Sequence, residues 1–246
     1  MFKTLALIFW GIALPLIAAE ETFILLDARR NIELASLGPG IHRRVSPCST
    51  FKIPLSLMGY DSGILLDETA PVFPFQEGYS TYRESWKSSQ TPQTWIQTSC
   101  VWYSQVLADL MGLQLLTQYI SAFDYGNRDL TGGLTAFWLT STLEISPYEQ
   151  ALFLQKLVQR TLPISNRAFD MTCTLFKLHD LPNGWTLYGK TGYGTFPTDA
   201  IRWFVGWIER AERTYVFAYN LRDTTIDLSL TIPRVTELLL NLDAAQ

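Results

Sequence analysis

The pattern of apolar and polar positions divides the chain into a strand-forming start, a helical middle and a strand-forming end. Two apolar runs within residues 21–38 flank a polar segment at 27–31, which predicts two strands joined by a turn. Between about 50 and 175 the apolar residues recur at helical spacing, most clearly over 103–120, and predict a lobe of helices. Short apolar runs then return and predict three further strands. These strands are predicted at 185–189, 203–209 and 214–221.

Two helix starts are marked by capping signals. Ser146 is followed by Pro147 at the first helical position and by Glu149 at the third, which is typical of a capped helix start. Near the C-terminus, Pro233 precedes an apolar run that predicts a last helix. The predicted class is therefore α/β, of the α+β kind. The terminal strands form one antiparallel sheet flanked by helices, and an all-helical lobe at approximately 55–175 is inserted between the sheet segments.

The first 19 residues have the layout of a secretory signal peptide. A single base, Lys3, precedes the apolar run 5–17, and two alanines follow it. The apolar run is shorter than the roughly 20 residues that a membrane span requires. We therefore expect a signal peptide at 1–19 and a single domain at 20–246. The mature protein is expected to be periplasmic or secreted, with no stable membrane partner after cleavage.

Composition excludes several classes of protein. Hydrophobic residues make up 48% of the 246 residues and charged residues 17%, which fits a large buried core and not a disordered chain. The formal net charge of −4 carries no basic excess, so no nucleic-acid partner is expected. His42 and His179 lie far apart and no C-x-x-C occurs, so no metal site is expected. With three cysteines at most one disulfide can form, and three buried free thiols are the favoured interpretation.

One short motif has the residues of an activated nucleophile. Ser49 and Lys52 form an S-x-x-K, and on the first turn of a helix they would share a face. A serine hydroxyl needs a base to remove its proton, and a lysine amine can serve only if burial or a nearby cation lowers its pKa. The helix N-terminus would also offer amide hydrogens to an oxyanion. The motif alone is common by chance, and a surface helix turn is the alternative.

A second and rarer motif follows the predicted strand at 185–189. Lys190, Thr191 and Gly192 form a K-T-G between two apolar runs. The cation and the hydroxyl could hold a substrate carboxylate, and the glycine would let a substrate approach the strand closely. A strand end with a solvated lysine is the alternative. The two motifs together predict an acyl-transfer enzyme with a lysine-assisted serine nucleophile.

Several segments in a fixed order resemble the class D (oxacillinase-type) serine β-lactamases, over nearly the whole chain after residue 19. They are P-C-S-T-F-K-I-P at 47–54, S-C-V-W-Y-S-Q at 99–105, Y-G-N at 125–127, Y-G-K-T-G at 188–192 and F-V-G-W at 204–207. The resemblance implies a fold like that of β-lactamases and penicillin-binding transpeptidases, and an enzyme that hydrolyses a small-molecule β-lactam.

The resemblance also implies roles for individual residues. Ser49 would attack the β-lactam carbonyl and form an acyl-enzyme, with Lys52 as the general base. Lys52 would work as N6-carboxylysine, formed with CO2 or bicarbonate, and no other cofactor is implied. Ser99 would pass a proton towards the leaving nitrogen, and Trp138 would hydrogen-bond the carbamate in an apolar pocket that Val101 helps to form.

In the same family, Lys190 and Thr191 would bind the substrate carboxylate, and the amides of Ser49 and Tyr193 would form the oxyanion hole. Tyr125 and Asn127 are interpreted as structural to the wall of the site. The residues expected to bind substrate are Val101, Trp138, Lys190, Thr191, Gly192 and Tyr193.

One position departs from the family pattern. Many members carry an arginine on the last strand that pairs with the substrate carboxylate, and an alignment through Ile232 and Pro233 places Ser229 there. A hydroxyl cannot supply the two-pronged charged contact of an arginine. Arg222 or Arg234 could substitute.

Three other functions remain open at this point. A penicillin-binding D,D-peptidase shares both short motifs but would deacylate β-lactams slowly. A β-lactam sensor would be acylated and would signal through further segments, and an inactive relative would only bind. The oligomeric state and the β-lactams that are hydrolysed do not follow from the sequence, and we expect loops around 87–98 and 194–201 to set the substrate preference.

Overall fold

The described strands pair into one antiparallel sheet in the order β2-β1-β6-β5-β4-β3. The computed structural model describes residues 19–197, 199–223 and 228–243, without the side chains of residues 228, 242 and 243. The predicted signal peptide at 1–19 therefore lies, apart from its last residue, outside the described residues. The strands are β1 Glu20–Asp27, β2 Ile32–Leu37, β3 Lys177–Asp180, β4 Thr186–Thr195, β5 Ala200–Arg210 and β6 Arg213–Asp223.

The helices lie between β2 and β3, with a last one after β6. They are α1 Lys52–Asp61, α2 Pro92–Thr98, α3 Val101–Phe123, α4 Pro147–Val158, α5 Asn166–Phe176 and α6 Thr231–Asp243. Short 3-10 turns at Cys48–Phe51, Glu84–Trp86 and Leu228–Leu230 precede α1, α2 and α6.

The central strands are apolar on both faces because both faces are covered. Along β1, Ile24 and Leu26 belong to one core, while Phe23 and Leu25 belong to another, since successive side chains alternate across a sheet. The helix α4 packs against β1 and β6 on the first face. On the second face α6 packs against β5 and contributes Val235 to the core.

The core on the first face continues from the sheet into the helical lobe. One contiguous cluster contains Ile24 of β1, Phe51 before α1, Leu107 of α3 and Leu154 of α4. Residues that are far apart in the sequence therefore meet where the lobe contacts the sheet.

The structure confirms the predicted fold class and most of the predicted elements. The polar segment at 27–31 joins β1 to β2, and the helical run at 103–120 lies inside α3. At the start of α4, Ser146 accepts a hydrogen bond from the amide of Glu149, whose carboxylate accepts one from the amide of Ser146. Ser146 and Glu149 thus cap α4 as the sequence predicted, and Pro233 lies in the first turn of α6.

The expectation of a loop over 87–98 is wrong, because most of this segment forms α2. Thr91 caps this helix and Pro92 occupies its first position. With only seven residues, α2 is too short for an apolar period to be visible. The edge strand β3 is short and fully exposed, so no alternation of buried and exposed residues marks it in the sequence.

By length and composition, α3 is apolar enough to cross a membrane. The core helix of a folded domain meets the same criterion. In this structure α3 contacts α1 and α2, and it contributes Trp102, Tyr103 and Leu107 to the core.

Candidate active site

Ser49 lies on the 3-10 turn Cys48–Phe51, and Lys52 is the first residue of α1. We expected both on the first turn of one α-helix. The structure differs because the amide of Lys52 bonds to the carbonyl of Ser49, only three residues back. In a 3-10 turn the residues i and i+3 eclipse, so Ser49 and Lys52 still project to the same side. The amide of Cys48 anchors the turn by donating to the carbonyl of Trp138 at 3.0 Å.

The amine of Lys52 is buried without a hydrogen-bond partner. The residue is 1% exposed, and no described residue bonds to its Nζ, so Ser49 and Lys52 are not hydrogen-bonded. Burial is the main reason that the pKa of Lys52 falls to about 7, and the positive charge of Lys190 lowers this pKa further. The amine is therefore partly neutral near pH 7, which is the state that a base requires.

Trp138 lies behind the nucleophile turn. Its ring stacks on Phe51 with centroids 5.4 Å apart, and both side chains are buried. Its carbonyl accepts hydrogen bonds from the amide of Cys48 and the hydroxyl of Ser46. These contacts make Trp138 part of the support of the turn.

Tyr125 and Asn127 also lie in supporting positions. Tyr125 is fully buried, with its hydroxyl 3.4 Å from Oε1 of Gln150. The side chain of Asn127 donates to the carbonyl of Thr142 at 2.8 Å.

Ser99 and Val101 are placed by the sharp connection between α2 and α3. Ser99 ends α2 in the left-handed conformation, with φ 57° and ψ 35°, and Val101 begins α3. Both residues line the same cleft as Ser49. The two-residue connection of Ser99 and Cys100 thus brings the proposed proton carrier to the site.

Lys190, Thr191 and Gly192 lie inside β4. The sequence had predicted that they follow the end of a strand. The Nζ of Lys190 donates to the carbonyl of Thr191 at 3.1 Å, and Lys190 is only 6% exposed. Burial lowers the pKa of Lys190 to about 7, and the charge of Arg83 adds to this effect.

Gly192 lies in close contact with the nucleophile turn. A Cβ atom at this position would lie 3.0 Å from the carbonyl oxygen of Pro47 and 3.1 Å from Cγ2 of Thr50. The structure adds a close contact with the turn that carries Ser49 to the role expected from the sequence, which is to let substrate approach the strand.

A cleft of about 510 Å³ brings most of the predicted site residues together. Those that line it are Ser49, Ser99, Val101, Lys190, Thr191, Gly192 and Tyr193. Lys52 and Trp138 are not on its surface, since each is only 1% exposed.

The cleft also contains residues that the sequence did not reveal. Tyr82, Arg83 and Trp86 come from the loop between α1 and α2, and Thr231 comes from the first position of α6. No short motif marks these positions. The sequence feature that could have indicated these cleft residues is the segment 82–86, which contains two aromatic residues and an arginine but has no periodic pattern.

The two arginines considered as substitutes for the missing family arginine are held in ion pairs. Arg222 pairs with Asp199, and the Nε of Arg222 lies 2.9 Å from Oδ2 of the aspartate. Arg234 pairs with Glu21 and Glu237. Neither arginine lines the cleft, and Ser229 is also not among the residues that line it.

Comparison with known proteins identifies the family. The penicillin-binding protein transpeptidase domain matches residues 24–239. The chain is 37% identical over 234 residues to β-lactamase OXA-9 of Klebsiella pneumoniae, covering 86% of this chain and 85% of that protein. It is 40% identical over 221 residues to β-lactamase OXA-1 of Escherichia coli, covering 85% and 79%. The chain belongs to the class D β-lactamases.

Solved class D structures have the same fold. The crystal structure of OXA-427 class D β-lactamase matches with a TM-score of 0.83 and 35% identity, covering 90% of this chain and 99% of that one. The class D β-lactamase YbXI from Nostoc matches with a TM-score of 0.84 and 27% identity, covering 92% and 94%. The likeness extends over the sheet and the helical lobe together.

The described part of this β-lactamase holds no group of three or more His, Cys, Asp or Glu side chains arranged to bind a metal. Its three cysteines are free thiols, as the sequence suggested. Cys48 and Cys100 are buried and Cys173 is partly exposed. Burial raises the pKa of Cys48 and of Cys100 to about 11, so neither thiol is ionised at neutral pH.

Proposed function

We propose that this class D β-lactamase hydrolyses β-lactam antibiotics through an acyl-enzyme on Ser49, with Lys52 as the general base. The observation that carries the proposal is the buried Nζ of Lys52, which has no partner among the described residues and lies one 3-10 turn after Ser49. A lysine that is hydrated or ion-paired would keep its proton near pH 7 and could not act in this way.

In the acylation step, Ser49 Oγ attacks the carbonyl carbon of the lactam and the carbon–nitrogen bond of the ring breaks. The proton of Ser49 passes to Lys52 and reaches the ring nitrogen through Ser99. In the deacylation step, a water molecule attacks the ester, its proton passes through Lys52, and the product acid leaves Ser49 regenerated. General base catalysis of this kind contributes about 10²- to 10⁴-fold to the rate.

The amide of Ser49 is available to the oxyanion that forms in both steps. The neighbouring amides are already used, because Cys48 donates to the carbonyl of Trp138 and Thr50 to the carbonyl of Pro47. No described residue accepts a hydrogen bond from the amide of Ser49. With the amide of Tyr193, which also lines the cleft, it would supply two donors at the site where negative charge develops.

Carboxylation of Lys52 by CO2 is supported by its buried amine, which has no hydrogen-bond partner among the described residues. CO2 reacts with a neutral amine, and burial holds the pKa of Lys52 at about 7. A carbamate on Nζ would supply an anionic base, and Trp138 and Phe51 lie on the buried side of the turn.

Residues 1–19 are proposed to direct the protein to the periplasm or the exterior as a cleaved signal peptide.

The first test is steady-state hydrolysis of a chromogenic cephalosporin by residues 20–246 near pH 7, with and without added bicarbonate. We expect turnover that rises with bicarbonate. A single stoichiometric burst without turnover, at any bicarbonate concentration, would point to a penicillin-binding D,D-peptidase or a sensor.

Two variants assign the roles in the same assay. Ser49→Ala is expected to form no covalent adduct with penicillin by mass spectrometry. Lys52→Ala is expected to fold and to lose turnover by about 100-fold or more, while Lys87→Ala, which removes an exposed amine outside the cleft, retains it. An adduct in Ser49→Ala, or normal turnover in Lys52→Ala, contradicts the mechanism.

A further inference from the structure

We propose that Arg83 and Thr231 form an anion-binding subsite opposite Lys190, and that this subsite binds the carboxylate of the β-lactam in place of the missing family arginine. The inference rests on β-lactam hydrolysis as the activity, but not on the identity of the nucleophile or the base. Arg83 supplies the permanent positive charge and Thr231 supplies a hydroxyl donor.

Arg83 is a cation that the structure leaves available. It lies on the loop between α1 and α2, in extended backbone just before the 3-10 turn Glu84–Trp86, and its exposed side chain lines the cleft with Lys190 and Thr191. No described acidic residue forms an ion pair with it. Lys87 on the same loop is different, because its Nζ lies 2.8 Å from Oε2 of Glu84.

The charge of Arg83 complements that of Lys190. Burial and the neighbouring guanidinium hold the pKa of Lys190 at about 7, so its amine is only partly charged near neutral pH in the free enzyme. A guanidinium keeps its proton at any physiological pH and can present two parallel donors to a carboxylate. An entering carboxylate therefore finds a fixed charge at Arg83, and its own charge favours protonation of Lys190.

Thr231 provides a second and independent observation that supports the subsite. It is 5% exposed, it lines the same cleft, and its Oγ1 has no hydrogen-bond partner among the described residues. Buried hydroxyls are normally bonded, so one without a partner beside a cleft indicates a group that bonds to ligand. Thr231 also begins α6, where the amide dipoles favour an anion.

The alternatives for this role are absent from the cleft. Arg222 is engaged in an ion pair with Asp199, just before β5, and Arg234 in ion pairs with carboxylates of β1 and α6. Ser229, which the alignment placed at the family position, precedes Thr231 by two residues, and only Thr231 lines the cleft. The loop before α2 and the start of α6 thus provide together what one arginine provides in other members.

The experiment compares a penicillin with its methyl ester, which carries a methyl group on the carboxyl group and lacks the negative charge. The variants are Arg83→Gln and Thr231→Val. The matched controls are Lys87→Gln on the same loop and Thr236→Val on the same helix, and neither control residue lines the cleft. The kcat/KM of each variant is measured for both substrates, from the loss of β-lactam absorbance, at low and at high ionic strength.

We expect Arg83→Gln to lower kcat/KM for the acid by about tenfold or more, the effect of one charge-assisted hydrogen bond. The ester should change by less than about twofold. Thr231→Val should also lower kcat/KM for the acid by about tenfold or more, as for a hydrogen bond to a charged group. Arg83→Gln should also weaken the dependence of kcat/KM for the acid on salt.

Two results would overturn the proposal. An equal loss for acid and ester would show that Arg83 only shapes the loop. No loss for the acid in Arg83→Gln and Thr231→Val would show that the carboxylate binds elsewhere. A failure of the Ser49 and Lys52 mechanism would leave the comparison of acid with ester intact, so the two hypotheses fail separately.

Discussion

Lys52 shows how a single residue acquires a function from its surroundings. In water its amine would hold a proton up to a pKa of about 10.4. In this structure it is buried without a partner, and the nearby charge of Lys190 acts in the same direction as burial.

A dependence of the rate on pH follows from the lowered pKa of Lys52. Below about pH 7 the amine of Lys52 binds a proton and can neither accept one from Ser49 nor react with CO2. We therefore expect kcat/KM to fall as the pH is lowered through about 7, approaching a tenfold loss per pH unit in the acid limb. The measurement is kcat/KM for a penicillin from about pH 5 to 8 at constant bicarbonate. A flat profile over this range would contradict a base with a lowered pKa.

At the residue scale, the candidate nucleophile, base and carboxylate-binding lysine could be predicted from short motifs. Each motif is local, since Ser49 and Lys52 are three positions apart and Lys190 and Thr191 are adjacent. Arg83 and Thr231 could not be predicted in this way, because their relation to Lys190 depends on how a loop and a helix end meet.

At the scale of the element, α4 is the clearest case in which local sequence determines structure. Ser146 and Glu149 form a reciprocal capping box at its start, with the amide of Ser146 bonded to Oε2 of Glu149 at 2.9 Å. Glu149 also pairs with Arg44. The helix packs on β1 and β6, so its start has to be correct for the sheet to be covered.

Removal of the cap should reduce stability without changing chemistry. Ser146→Ala is expected to lower the free energy of unfolding by about 1–2 kcal/mol, because the amide of Glu149 loses its acceptor. The matched control is Thr117→Ala, whose exposed hydroxyl bonds only within α3, and it should change stability by less than about 0.5 kcal/mol. Both values are measured by urea denaturation. Equal stability of the two variants would show that the cap contributes nothing.

The sequence did not predict α2 and β3, because both elements depend on tertiary contacts. The helix α2 has a capping threonine and a proline at its first position, but it is stabilised by packing of Trp95 and Ile96 and not by a visible period. Among the described strands, β3 pairs only with β4.

At the scale of the whole molecule, the sheet and the helical lobe share one core. The cluster that contains Ile24 of β1 and Val205 of β5 also contains Leu107 of α3 and Leu154 of α4. Unfolding of the helical lobe would therefore expose core residues of the sheet, and unfolding of the sheet would expose core residues of the lobe.

We therefore expect residues 20–246 to unfold in one cooperative transition. Far-ultraviolet and near-ultraviolet circular dichroism should report the same midpoint in urea, because the aromatic residues of the shared core lose their packing when the helices melt. A first transition that removes helical signal while the near-ultraviolet signal persists would show that the lobe unfolds by itself.

Local sequence sets the order and type of most elements, the start of α4 and the short motifs around Ser49, Ser99 and Lys190. All of these are set by residues within one or two turns of each other, where apolar period, hydrogen-bonding side chains and spacing act directly. The family resemblance depends on the same local segments.

The tertiary structure alone decided the environment of those residues. It buried the amine of Lys52, placed Gly192 against the nucleophile turn, and brought Arg83 and Thr231 to the cleft. The physical reason is that burial, proximity of charges and steric contact depend on distances between segments far apart in the chain. Only the packing of the lobe against the sheet sets these distances.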